Sequence, residues 1–182
     1  MPSDAVAADG YRQVSDQFEI MHLQNQYAVA IDSGDWGWFR QLFTSDVVAD
    51  YATVGHWNDL WVGLEPWAQA FERMHEQDFA ATQHRMSTHV VEVQGDTAWA
   101  LCYGDVSLSL HEDPERTISV LGYYDDDVVR TESGWRIARR RFREILRRVE
   151  QSSSDGEPLV PMWSAVQAGA VEFLLHRRLE KS

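Results

Sequence analysis

Cysteine is nearly missing from this chain. Cys102 is the only one in 182 residues, so no internal disulfide and no thiolate metal cluster can form. That usage fits a reducing compartment, and the cytoplasm is the expected location. Positive charge is also scarce: 16 Lys and Arg stand against 29 Asp and Glu, for a formal net charge of −13. Such a balance argues against nonspecific binding to DNA, RNA or an anionic membrane surface. No apolar run approaches the ~18 residues needed to span a bilayer. The opening MPSDAVAADG has neither the basic n-region nor the apolar h-region of a secretory signal.

Common chemical signatures are absent too. There is no HExxH, no P-loop and no GxGxxG, and no Ser sits in a nucleophile elbow. His84 and His89 lie five apart in a strand region and need not share a face, so zinc binding is a weak reading. No metal or other cofactor is expected, and covalent catalysis is not suggested.

What is present is aromatic. Eight Trp in a chain that is 44% hydrophobic and 25% charged can fill a core of large residues or line an apolar cavity. The length suits one domain with a single core. The basic residues cluster: Arg136, Arg139, Arg140, Arg141, Arg143, Arg147 and Arg148 form one block. The simplest partners for that block are the protein's own carboxylates.

Residues 1–14 read as a polar arm. From Ser15 to Asp32, the positions Phe18, Ile20, Leu23, Tyr27 and Ile31 recur at helical spacing, with Ser15 or Asp16 as N-cap. Ser33-Gly34-Asp35 is a turn, and Asp35 can cap the next helix, WGWFRQLF, which Thr44-Ser45-Asp46 ends. VVADYATV is a short strand, HWND a turn and LWVG a second strand. Leu64 to Phe79 returns to helical spacing, with Pro66 in its first turn.

The second half has strand period. Ser87–Val93, Thr97–Leu110, Thr117–Thr131 and Trp135 to about Leu146 are expected strands. Tight turns at Gln94-Gly95-Asp96 and Glu132-Ser133-Gly134, and a loop at HEDPER, join them into an antiparallel meander. Helices followed by a sheet predict an α+β domain whose sheet curls over the helices and encloses a pocket. SSSDGEP is a linker by composition. The apolar positions from Trp163 to Leu175 beyond it suggest a terminal helix.

Acid–base candidates begin with Asp32. A carboxylate at a helix C-terminus meets partial negative charge, so it is either turn chemistry or a carboxylate tuned for proton transfer. Tyr27 lies five residues earlier, about 140° away around the helix. The two converge only if the helix end unwinds at Ser33-Gly34, which glycine permits. A histidine opposite Asp32 would complete a workable general base. His84, in ATQHRMSTHVVEV, lies just before or at the start of the first long strand; it is either a further acid–base candidate or an ordinary surface or satisfied histidine. His89 alternates with Val91 and Val93 and is expected on their side. Tyr51 offers a phenol able to polarise a carbonyl, or ordinary core packing. Trp99, Leu101, Tyr103 and Asp105 share one face of the long strand. Asp105, Tyr103, Trp99 and His89 are therefore candidate substrate contacts.

Taken together, the helix ending in Tyr-x4-Asp, the GDW…F..LF..D stretch, DY, TQH before a strand, and GYYDDDVVRTESGWRIARRR resemble the SnoaL-like branch of the NTF2-like superfamily. The resemblance covers roughly residues 15–148, and 149–182 follow as linker and terminal helix. The nearest patterns are those of scytalone dehydratase-like and bile-acid dehydratase-like proteins. The resemblance implies a cone, in which a curved mixed or antiparallel sheet wraps around three N-terminal helices and encloses an apolar pocket.

By the same resemblance, Asp32 and His84 match the catalytic Asp–His pair, Tyr27 a pocket tyrosine, and Tyr51 a carbonyl-polarising tyrosine. The scytalone pattern is broken at Ile31, where it has a tyrosine, and near Leu110, where it has a second histidine. The implied activity is a cofactor-free lyase or isomerase of dehydratase type acting on a small apolar substrate. A polyketide cyclase, or a noncatalytic small subunit of a ring-hydroxylating dioxygenase, is the alternative. The other expected partner is a further copy of the chain, in a dimer or trimer.

Overall fold

The structure is a computed structural model that describes residues 4–52 and 60–151, with side chains from residue 10 onward. HWND, the SSSDGEP linker and the expected terminal helix lie outside the described residues.

The first helix, α1, runs Asp4–Asp32. The expected polar arm is therefore mostly helix, and Ser15 and Asp16 lie mid-helix rather than at its cap. The reason is intrinsic: three alanines within Asp4–Gly10 favour helix without any apolar periodicity. Further along, Tyr11 and Val14 are exposed. Phe18, expected on the buried face, is exposed as well. The buried face is instead Asp16, Ile20, Leu23, Gln24, Tyr27 and Ile31, which share one side of the helix at i, i+3 and i+4 spacing. Asp16 is buried as a partner, accepting from the Trp135 indole at 3.3 Å and pairing with Arg130 at 2.6 Å.

The helix ends without unwinding. Gly34 adopts φ +66°, the Asp35 amide donates to the Ala30 carbonyl at 2.9 Å and the Gly34 amide to Ile31 at 3.1 Å. This left-handed glycine cap satisfies the last carbonyls and keeps Asp32 helical. Asp35 then caps α2 (Trp36–Gln41) by accepting from the Trp38 amide at 2.8 Å.

Strand β1 (Phe43–Asp50) begins before the expected end of that helix, so Thr44-Ser45-Asp46 belong to it. β2 (Leu60–Val62) and α3 (Leu64–Gln77) follow. Phe79 opens β3 (Phe79–Gln94) rather than closing α3. β3 starts eight residues earlier than its alternation announced, because Phe79 to Gln83 pair with the far end of β4. β4 (Thr97–Leu110), β5 (Arg116–Thr131) and β6 (Gly134–Gln151) complete the meander.

The sheet order is β2-β1-β6-β5-β4-β3, a curved and unclosed mixed sheet in which only the β1–β6 pairing is parallel. Its concave face holds the helices. Inward positions on β4 are small: Ala98, Ala100, Cys102 and Gly104. Gly104 stands opposite Gly122, and a Cβ on Gly104 would lie 2.5 Å from the Tyr124 ring. The glycine pair lets Tyr124 and Phe142 lie across the strands at 4.7 Å between centroids.

Trp67, Phe39 and Phe43 pack at 4.7–5.1 Å between centroids, and Trp36 and Trp135 are buried with them. The arginine block answers the protein's own acids, as composition suggested. Arg141 meets Asp125 and Asp127, Arg143 meets Asp50, and Arg147 meets Glu144.

Candidate active site

A cavity of about 260 Å³ opens between α1, α3 and the concave sheet face. Most of its wall is apolar, with Ile31, Phe71, Met74, Val106, Leu108 and Ile118 among the lining residues. The polar groups in it are few: Tyr27, Tyr51, Tyr124, His75, His84 and Arg147. A small apolar pocket with a handful of convergent polar groups is the usual form of a small-molecule site.

Asp32 and His84 meet at its wall. His84 Nδ1 lies 2.6 Å from Asp32 Oδ1, and the His84 amide donates to Oδ2 at 2.7 Å. Thr82 adds a third bond, its hydroxyl donating to Oδ1 at 3.1 Å. Thr82 and His84 are alternate residues on β3, so both face the helix end. The adverse charge of the helix terminus is thus met by donors from the facing strand. With Asp32 as carboxylate, Nδ1 carries the hydrogen, and Nε2 is left as the basic nitrogen. The His84 side chain is only 6% exposed. His84 lines the cavity and Asp32 stands behind it.

Tyr27 does not reach Asp32 by unwinding of the helix. It reaches the dyad through His84, whose ring stands edge-on to its own at 5.8 Å. The Tyr27 and Tyr51 hydroxyls are 3.2 Å apart. Burial pushes the phenols of Tyr27, Tyr51 and Tyr124 up from their ordinary range, so they stay protonated.

Behind the tyrosines lies a fully buried ion pair. Arg140 holds Asp126 through two bonds, at 2.8 and 2.7 Å, and neither side chain is exposed. The second Asp126 oxygen also accepts from Gln24 at 3.1 Å, whose carbonyl meets His89 Nδ1 at 2.8 Å.

His89 is therefore on the concave side with Val91 and Val93, as its alternation implied, but it joins this inner network and does not line the cavity. Trp99, Tyr103 and Asp105 need a larger correction: they sit on the opposite face of the sheet. Trp99 donates to Asp125 at 2.8 Å, Asp105 pairs with Arg85 at 2.7 Å, and Tyr103 is 48% exposed. Alternation separates Trp99, Tyr103 and Asp105 from Ala98, Ala100, Cys102 and Gly104, but does not say which set faces the helices. The face with small residues turned inward because α1 packs against it.

Two residues escaped the sequence reading. Thr82 was legible as the partner of His84 at strand spacing. His75 continues the Trp67–Phe71 line at four-residue steps on α3. Its Nδ1 lies 2.8 Å from the Phe71 carbonyl, to which it donates. Among the described residues, no group of three or more His, Cys, Asp or Glu could hold a metal ion, and no helix is long and apolar enough to cross a membrane.

A curved open sheet around helices, with a cavity walled by helix ends and strands, is the architecture of the NTF2-like cone. Residues 12–141 match the SnoaL-like domain, and the chain belongs to that family. An uncharacterised protein of Mycobacterium tuberculosis is 30% identical over 130 residues, spanning 70% of this chain and 84% of its own. A protein of Novosphingobium aromaticivorans, provisionally described as an aromatic ring hydroxylase, superposes with a TM-score of 0.68 at 25% identity, covering 76% of this chain and 94% of its own. A second protein from that organism, provisionally described as a scytalone dehydratase, gives 0.67 at 19% identity, covering 80% and 97%.

Proposed function

We propose that the protein is a cofactor-free lyase or isomerase of dehydratase type. Its His84–Asp32 pair removes a proton next to a carbonyl of a small, largely apolar substrate. The observation that carries this reading is the 2.6 Å contact from His84 Nδ1 to Asp32, which leaves Nε2 free at a wall of an apolar cavity. A base so placed takes a C–H proton as the electron pair moves onto the carbonyl oxygen. The protonated phenols of Tyr51 and Tyr27 donate to that developing enolate oxygen. Where the substrate carries a β-hydroxyl, the proton held on His84 passes to it, water leaves, and the net reaction is dehydration. Positioned acid–base catalysis contributes about 10²–10⁴-fold.

A polyketide cyclase would use the same proton abstraction to close a ring. The dyad favours either catalyst over a noncatalytic small subunit, which has no need of a base in an apolar wall. Further copies of the chain, in a dimer or trimer, remain the proposed protein partner.

The test is α-proton exchange. 1-Indanone in D₂O is followed by NMR with the protein present. Deuterium should enter the α-position faster than in buffer alone, and His84→Ala and Asp32→Asn should each return the rate toward that background. Equal exchange by the wild type and both variants would remove the dyad from the chemistry.

A further inference from the structure

His75 lines the cavity beside the dyad, yet its surroundings differ from those of His84. Its Nδ1 hydrogen is spent on the Phe71 carbonyl, one turn back on its own helix, at 2.8 Å. That bond fixes the tautomer and leaves Nε2 with a bare lone pair. Nε2 is buried and has no hydrogen-bond partner among the described residues. The ring is held by Trp36, Phe71 and Phe79, with centroids at 5.2–6.0 Å. None of these offers Nε2 a donor in this structure. A buried acceptor left without a donor is costly, and native proteins seldom carry one without a reason.

We infer that His75 Nε2 is the acceptor that recognises a hydroxyl group of the substrate, so that the site selects compact apolar molecules carrying a neutral O–H donor. The inference rests on reading the cavity as the substrate site, and it narrows the substrate class.

The chemistry distinguishes the two histidines. His84 has a carboxylate on its far nitrogen and can hold a proton. His75 has a carbonyl there and sits in an apolar wall; burial brings it down to about 4, with His84 the nearby group acting in the same direction and Asp32 opposing. His75 is therefore neutral across the working range. It can accept a hydrogen bond but cannot supply a proton. A substrate hydroxyl that donates to His75 keeps its oxygen lone pairs free, which is what a leaving hydroxyl needs to take a proton from elsewhere.

The test uses two probes that differ by one hydroxyl, p-cresol and toluene, with dissociation constants measured by calorimetry. The wild type should bind p-cresol about tenfold more tightly, since a hydroxyl that satisfies a buried acceptor is worth about that factor. His75→Phe should erase the preference while leaving toluene binding in place. A second measurement does not depend on that variant folding. In ¹⁵N-histidine-labelled wild type, the His75 Nε2 resonance should stay that of an unprotonated nitrogen from pH 8 to pH 5. It should shift on adding p-cresol and not on adding toluene. A preference that survives in His75→Phe, an Nε2 resonance indifferent to p-cresol, or no binding of either probe would each overturn the assignment. Loss of α-exchange in the dyad variants reports separately on the proton-transfer reading, so either can fail alone.

Discussion

Arg140 carries its guanidinium 4.1 Å from the centre of the Tyr27 ring, with no exposure to solvent. One cation thus backs the phenol that faces the cavity, and Asp126 holds that cation from the other side. A buried pair of this kind contributes little net stability, but losing one member strands a charge, at a cost of about 3–5 kcal/mol. Asp126→Asn should therefore be strongly destabilised in urea titration. The double variant Arg140→Met/Asp126→Leu should recover most of the loss. If the single variant unfolds at the wild-type midpoint, the pair is not the electrostatic unit its geometry describes.

The hydroxyl pair of Tyr27 and Tyr51 makes a second prediction. Both phenols are buried and held protonated, so each can donate to an oxyanion at neutral pH. Tyr51→Phe removes one such donor and leaves the His84–Asp32 contacts in place. Loss of an oxyanion donor typically costs about 10²-fold or more. The 1-indanone exchange rate at saturation should fall by about that factor while the protein keeps its melting temperature to within a few degrees. An unchanged rate would assign Tyr51 to packing alone.

Much of this was legible in the sequence where a pattern had one solution. The strand Thr97–Leu110 and the hairpin after Thr131 were bounded correctly because tight turns flank them. The pairing of Asp32 with His84 came from resemblance; spacing could not join residues 52 positions apart. The face of β4 was not legible, because alternation separates the two faces of a strand and does not say which one turns to the helices. The inward set, Ala98, Ala100, Cys102 and Gly104, is small, and at Gly104 a Cβ would meet the Tyr124 ring. The early start of α1 was hidden for another reason. Asp4 to Gly10 carries no apolar stripe in sequence, so there was no periodicity to find. His75 was missed because its aromatic line on α3 reads as ordinary core until the unpaired nitrogen is seen.

Asp32 sets the tautomer of His84, and this can be observed without a substrate. The carboxylate accepts from Nδ1–H, so the wild type should show the Nδ1–H form in ¹⁵N spectra at high pH. Asp32→Asn offers an amide whose oxygen can serve either the Thr82 hydroxyl and the His84 amide or the imidazole, but with fewer acceptor sites. A shift toward the Nε2–H form, or a mixture, is expected in the variant. An unaltered tautomer would mean that the ring is fixed by packing and that Asp32 acts on it only through charge.

His75 carries a pH signature in stability. Burial, the larger cause, brings its value down from the ordinary 6.5 to about 4. As pH falls through 6.5 the unfolded chain takes up a proton at this residue while the folded chain does not. The unfolded state therefore binds more protons between 6.5 and about 4, and stability falls with pH across that window. It levels off below, once the folded ring is protonated too. At about 1.4 kcal/mol per pH unit over this window, the contribution lost is at most about 3.5 kcal/mol. Carboxylates paired with arginine, such as Asp50, add their own acid sensitivity. The clean quantity is therefore the stability difference between the wild type and His75→Phe. Measured by urea unfolding at pH 7.5, 6, 5 and 4, that difference should move steadily against the wild type and by no more than this amount. A constant difference across the series would show that His75 titrates alike in the folded and unfolded chains, and that its nitrogen is not held in an apolar wall.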